Sequence, residues 1–289
     1  MRDTGMPTPL VSTDWLAANL GQPGLVVVDA SWYLPTQNRN AAAEYAAGHI
    51  QGAVFWDLDA LSDRAASLPH MLPLPDDLGR AAGCLGIGNE DRVVVYDGSG
   101  VNLSAARVWW MLRVAGHDEV AVLDGGLTRW RLEQRPLRVG LSPWAPRHFT
   151  IRYRPDLVRS MEETRRALEA GTAQVVDARS RGRFLGSEPE PRPGLRPGHA
   201  PGARSLPFGE LVGPDGRLLA ATDLRRIYAA AGVDLNGPVI ASCGSGVTAC
   251  AVALGLELLG HRTYAVYDGS WSEWGQPEGP AVATGPASG

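Results

Sequence analysis

Cys243 is the residue in this sequence whose surroundings most resemble a reactive site. It sits in "VIASCGSGVTACAVALG" (239–255), where a β-branched run ends in the cysteine and Gly-Ser-Gly follows before an apolar, helix-forming stretch. Glycines adopt backbone conformations closed to other residues, so the loop Gly244, Ser245, Gly246, Val247, Thr248 can turn several N–H groups inward. The start of the next helix adds its positive end. Both effects favour a negatively charged sulfur, which is the nucleophilic form of cysteine. The same cradle suits a second sulfur bonded to the first, because a persulfide also carries negative charge.

The elements that must hold this loop occur twice. "LVVVDASW" (25–32) returns as "QVVDARSR" (174–181), "AAGHIQGAVFW" (46–56) as "RPGHAPGARSLPF" (196–208), "VVVYDGSGVN" (93–102) as "PVIASCGSGVT" (238–248), and "VAVLDGGLTRW" (120–130) as "TYAVYDGSWSEW" (263–274). The landmarks keep their order roughly 145 to 150 positions apart, as from Asp97 to Cys243, so the chain is expected to be two copies of one domain. Short β-branched runs without polar alternation, alternating with helical patterns, predict an α/β fold. Each copy should be a doubly wound parallel sheet with helices on both faces. The expected boundaries are 8–134 for the first copy, 135–157 for a Pro- and Arg-rich linker and 158–280 for the second copy. In such sheets ligands meet the carboxyl ends of the strands, which is where Cys243 falls. At its place the first copy has Asp97, so only the second copy carries the nucleophile.

Composition removes other classes of function. A formal net charge of −4 gives no electrostatic footprint for nucleic acid. No apolar run reaches the length of about 18 residues that a membrane span needs. The opening "MRDTGMPTPLVSTDWL" lacks the pattern of a targeting segment. The three cysteines have no metal-ligand spacing and suit a reducing compartment, so a cytoplasmic protein without metal or organic cofactor is expected. Every cationic chain is arginine, which removes lysine from any mechanism.

Taken together, these motifs resemble the two-domain rhodanese superfamily, and within it the group of 3-mercaptopyruvate sulfurtransferases. "CGSGVT" matches that group's active loop at all six positions, and "DASWYLP", "HMLP", "RVWWMLR", "LDGG" and "YDGSW" stand in order between Leu10 and Trp274. The resemblance implies two tandem rhodanese-like domains, the second of them catalytic. It implies transfer of sulfur from 3-mercaptopyruvate through a Cys243 persulfide, with release of pyruvate. The acceptor would be a small thiol, cyanide or a reduced thioredoxin. It also implies that Arg183 and Arg192, in "GRFLGSEPEPR", hold the donor's carboxylate and keto oxygen, a task that suits the planar guanidinium fork. Ser245, with His70 and Asp59 from "DLDALSDRAASLPHMLP", would handle the proton taken up by the leaving enolate.

The other polar landmarks read as structural. His49 and His199 recur in both copies and should brace turns, Asp29 and Asp177 should cap loops after matching strands, and Cys250 and Cys84 should be inert buried thiols. Three rival functions remain in view. Thiosulfate:cyanide transfer would use the same nucleophile, but a loop with more positive charge is expected for that dianion. A phosphatase or arsenate reductase needs a Cys-x5-Arg loop, and the position required for the arginine is Ala249. A non-catalytic persulfide carrier or scaffold is compatible with tandem copies of which one lacks the cysteine, but the intact cysteine loop together with the arginine pair is hard to explain that way.

Overall fold

The computed structural model describes residues 6–7, 9–142 and 144–286; Thr8, where the first copy is expected to open, and Pro143 within the expected linker lie outside them. Each copy builds a five-stranded sheet in which every neighbouring pair is parallel. Across the first, the strands run Leu10–Val11, Val120–Leu123, Arg92–Tyr96, Leu25–Asp29, Ala53–Phe55. Across the second they run Val158–Arg159, Tyr264–Tyr267, Val239–Ser242, Gln174–Asp177, Arg204–Ser205. Numbered along the chain within each copy, both orders are first, fifth, fourth, second, third. From the second strand the chain moves outward one way and from the fourth it moves outward the other way. The carboxyl ends of these two central strands therefore form the switch point where doubly wound sheets take their ligands.

The central strands Arg92–Tyr96 and Val239–Ser242 are buried on alternate and intervening residues alike, as strands covered on both faces must be. The helices that follow them, Leu103–Val114 and Ala249–Leu258, are also buried nearly all round, because their apolar residues occupy every face rather than one stripe. Outer helices carry ordinary stop signals. Met161–Ala170 opens on a Ser160–Glu163 capping box and closes on Gly171 at φ +63°. Trp130 in the first core and Trp271 and Trp274 in the second are the packed ends of "LDGGLTRW" and "YDGSWSEW".

The chain divides into two compact units whose membership is not sequential. The first comprises residues up to Arg64, Pro73–Arg154 and Gly213–Leu218; the second comprises Ala65–Leu72, Pro155–Val212 and the residues from Leu219 onward. In each unit the inserted segment is tied to the aspartate that follows the last strand. The Leu218 N–H donates to Asp124 Oδ1 at 2.9 Å, and the Leu72 N–H donates to Asp268 Oδ2 at 2.7 Å. Two residues before each anchor the backbone is left-handed, with Gly216 at φ +79° and His70 at φ +60°. Within 135–157, Leu137–Arg138 pairs antiparallel with His49–Ile50, and a short 3-10 turn at Pro155–Leu157 precedes the second sheet. Among the described residues no helix is long and apolar enough to cross a membrane.

Candidate active site

Cys243 is the first residue beyond the central strand of the second sheet, and only 1% of it is exposed. The loop turns at Gly246, whose φ of +73° favours glycine, and the helix begins at Ala249. Both backbone groups of Cys243 are held from one side. Its N–H donates to Ser270 Oγ at 3.1 Å, and its carbonyl accepts from the Trp271 N–H at 2.9 Å. The Gly244 carbonyl accepts from the Ser272 N–H at 2.8 Å and from Ser272 Oγ at 2.6 Å. Cys250 is fully buried and its thiol donates to the Gly246 carbonyl at 3.2 Å, so it braces the loop as part of the core.

The first copy shows what such a loop accepts. Asp97, also fully buried, places Oδ1 against the Ser99 N–H at 2.8 Å and the Ser99 hydroxyl at 2.5 Å. Its Oδ2 takes the Ala105 N–H in the first turn of the following helix at 2.9 Å. The Asp97 carboxylate is thus held by N–H groups of the loop and of the helix that follows it.

Ser245, 7% exposed, lies two residues after Cys243, and its Oγ is 3.1 Å from His70 Nδ1. His70 is itself 7% exposed and is held at positive φ in the segment latched by Asp268. Asp59 belongs to the first unit, in the turn after Ala53–Phe55, where its carboxylate accepts from Trp32 Nε1 at 3.0 and 3.1 Å.

Arg183 comes from the short helix Arg181–Leu185, whose N-cap Ser180 accepts from the Arg183 N–H. A Cβ on Gly244 would lie 3.0 Å from Arg183 Nη2, so glycine here lets the guanidinium reach the nucleophile's neighbour. Arg183 does not stand alone. Its Nε and Nη2 both donate to Glu190, with Nη2 to Oε2 at 2.5 Å. Glu190, its side chain 3% exposed, also accepts from Arg179 Nη1 at 2.7 Å. The Arg179 guanidinium has no exposure, pairs with Asp177 at 2.5 Å and lies 4.0 Å from the centre of the Trp271 ring. Burial opposes the charge on Arg179, yet Asp177 and Glu190 outweigh it and move its pKa above the ordinary arginine value. The result is a row of alternating charge, Asp177, Arg179, Glu190, Arg183, buried except at its last member, that holds the last guanidinium in place. The Nε and Nη2 edge of Arg183 is thereby committed to Glu190. Arg192 lies half-buried in the loop that follows Glu190.

The structural residues behave largely as their repetition suggested. His49 and His199 are each 1% exposed; each stacks on an aromatic ring, Tyr45 or Phe184, and uses Nδ1 on that residue's carbonyl, at 2.9 and 2.8 Å. Asp29 and Asp177 accept the N–H two residues on, at 2.9 and 3.0 Å. Cys84 departs from expectation, being exposed rather than buried. It ends the helix Pro75–Cys84, whose inward arc is Leu78, Gly79, Ala82 and Gly83, and the next helical position turns out of that arc. Sequence reasoning also missed Arg179 and Glu190. The available signal was an arginine at the place where the first copy has Ser31, two residues after the strand-ending aspartate.

A repeated doubly wound sheet whose second copy alone sets a cysteine in the glycine-rich loop, with an arginine at its edge, points to a tandem sulfur-handling protein. The Rhodanese-like domain family model matches residues 12–133 and again 160–277. The chain belongs to the rhodanese family, and it is a sulfurtransferase acting between small-molecule donors and acceptors. It is 45% identical to the thiosulfate/3-mercaptopyruvate sulfurtransferase 1, mitochondrial, of Arabidopsis thaliana, over 94% of this chain and 77% of that one. It is likewise 45% identical to the 3-mercaptopyruvate sulfurtransferase of Homo sapiens, over 92% and 91%. The crystal structure of SseA, a 3-mercaptopyruvate sulfotransferase from Escherichia coli, superimposes with a TM-score of 0.83 at 41% identity, covering 91% of this chain and 99% of that one.

Proposed function

We propose that the sulfur donor is 3-mercaptopyruvate and that Cys243 carries the sulfur as a persulfide. The Cys243 thiolate attacks the donor's sulfur, the new S–S bond forms, and the C–S bond breaks with its electron pair passing to carbon. Arg183 and Arg192 hold the 2-oxo acid, and the negative charge that develops on the enolate oxygen is stabilised by their guanidinium groups. A proton delivered to the enolate carbon through Ser245 and His70 gives pyruvate. Asp59 serves as the third member of this relay. The N–H groups of Gly244, Ser245, Gly246, Val247 and Thr248 stabilise the persulfide. A small thiol, cyanide or a reduced thioredoxin then takes the outer sulfur. A cytoplasmic setting suits the chemistry, with all three cysteines free.

The observation that carries this reading is the 3.1 Å approach of His70 Nδ1 to Ser245 Oγ inside the cysteine loop. A donor that leaves as an enolate needs a proton there, whereas thiosulfate leaves as sulfite and does not. The test is an initial-rate comparison of 3-mercaptopyruvate with thiosulfate, using one acceptor, for the wild type and Cys243→Ser. Preference for mercaptopyruvate that vanishes in the variant supports the proposal. Preference for thiosulfate overturns the donor while leaving the nucleophile in place.

A further inference from the structure

Resting on that reading, we propose that Ser270 is a positioning residue for Cys243, kept in an unfavourable backbone conformation because its hydroxyl is needed there. Ser270 is fully buried and has a φ of +50°. A residue with a Cβ in the left-handed region costs about 1–2 kcal/mol. The first copy avoids that cost. "LDGG" there stands where the second copy has "YDGS", and Gly126, the counterpart of Ser270, has a φ of +56°. The turn itself is thus common to both copies, and only the copy with the nucleophile departs from glycine.

The hydroxyl has two partners. Ser270 Oγ accepts from the Cys243 N–H at 3.1 Å and donates to the Tyr267 carbonyl at 2.8 Å. It thereby ties the nucleophile's peptide to the end of the neighbouring strand Tyr264–Tyr267. Trp271 and Ser272 continue the strap by holding the carbonyls of Cys243 and Gly244. In the first copy the Leu127 N–H holds the Asp97 carbonyl at 2.9 Å in the same way. The Gly98 carbonyl is taken instead by Arg39, at 3.3 Å. A Cβ on Gly126 would lie 2.6 Å from the Asp97 carbonyl oxygen, so the first copy leaves no room for a serine. Strain retained where glycine would serve, and spent on a hydrogen bond to the backbone N–H of the reacting residue, is the pattern expected of a functional constraint. The step it serves is directional, because Sγ must approach the donor sulfur opposite the bond that breaks. Misplacement by about 1 Å costs on the order of a hundredfold in rate.

The test compares Ser270→Gly and Ser270→Ala with the wild type and Cys243→Ser. It reads kcat and KM for 3-mercaptopyruvate, the thermal midpoint, and labelling of Cys243 by a bulky maleimide far below that midpoint, with peptide mapping to separate it from the exposed Cys84. Both Ser270 variants should lose on the order of tenfold to a hundredfold in kcat. Their KM should stay within about twofold, because the Arg183 grip is untouched. Both should label Cys243 faster, because the tie from Ser270 to its backbone N–H is lost. The thermal midpoint should rank glycine above alanine, since only glycine relaxes at this φ. A Ser270→Gly enzyme with wild-type kcat, or a kcat that merely follows the midpoint, overturns the proposal. If the wild type is inert toward mercaptopyruvate, the donor assignment fails, and labelling alone decides Ser270: faster labelling sustains its role and unchanged labelling ends it.

Discussion

Asp97 and Cys243 occupy the same point of two loops, each following the fourth strand of a sheet with the same strand order. Asp97 fills its loop with its own carboxylate, held by the N–H groups of Ser99 and Ala105. Cys243 brings a sulfur to the matching place. One copy therefore closes its loop with its own carboxylate, and the other leaves the matching place to the Cys243 thiol. The surroundings differ accordingly. A Cβ on Gly98 would lie 2.5 Å from the Tyr33 hydroxyl, whereas the corresponding Gly244 is approached by Arg183.

Removing the Asp97 carboxylate should weaken the first copy without touching the chemistry. Asp97→Ala leaves buried N–H groups without their acceptor, at a cost of about 1–3 kcal/mol. Thermal unfolding should show a lower midpoint, partly restored by added formate, which can enter the vacated cradle. The kcat of the folded protein should remain within about twofold of wild type.

In the proposed reaction Arg183 offers the donor its outer end, because Glu190 holds the Nε and Nη2 edge. Lysine at this place has one ammonium for two tasks and cannot span both partners. Arg183→Lys should therefore raise KM for 3-mercaptopyruvate by about tenfold or more, with kcat affected less. Steady-state kinetics at fixed acceptor checks this. An unchanged KM would count against the carboxylate grip.

Glu190 lies between two guanidinium groups in a nearly solvent-free place. Glu190→Gln keeps the shape but leaves the buried Arg179 with Asp177 as its remaining carboxylate partner in the row. Breaking such a pair costs about 3 kcal/mol, so the unfolding free energy should fall by that order. Denaturant titration measures it. The same variant should raise KM along with Arg183→Lys, since Arg183 is then no longer held in one pose.

His117 gives the fold a sensitivity to acid. Burial holds its pKa below the ordinary value of 6.5, against the opposing pull of the carbonyls of Asp91 and Glu119. Among the described residues its Nε2 has no hydrogen-bond partner. A histidine whose folded pKa is depressed contributes stability above its unfolded pKa and loses it as pH falls toward the folded value. Stability should therefore decline as pH drops below about 6.5. His117→Gln should flatten that limb of the midpoint-against-pH curve. An unaltered slope would assign the acid limb to other groups.

The two sheets were legible in the sequence because "LVVVD", "VVVYD", "VAVLD" and their second-copy counterparts are strand-forming runs in a repeated order, and repetition exposes topology as well as composition. The loop was legible because glycine spacing around Cys243 reflects a local backbone requirement. The exchange of segments was not. "AASLPHML" and "GPDGRL" carry no periodicity, and what binds them is the carboxylate of Asp268 or Asp124, far away in the chain. The buried charge row was missed for a related reason. "EPEPR" drew attention to its arginine, while the glutamate that organises the site has a neighbour seven residues back and another eleven back, a pairing set by tertiary packing. Cys84 was misread because a small apolar residue at a helix end looks the same inside or outside the buried arc.

The strongest discrimination between donors rests on His70. Its φ of +60° is tolerated by asparagine, so His70→Asn can keep the backbone while removing the imidazole. Loss of the ring takes away the partner 3.1 Å from Ser245 Oγ. With 3-mercaptopyruvate the C–S bond then breaks toward an enolate with no positioned acid, and kcat should fall by about a hundredfold or more. With thiosulfate the leaving sulfite needs no proton, and the thiosulfate rate should stay within about threefold of wild type. The ratio of the two activities is therefore the quantity to measure, at constant pH and with a common acceptor. Equal losses with both donors would place His70 in the support of the loop rather than in proton transfer, while a collapse confined to mercaptopyruvate would tie the ring to the enolate.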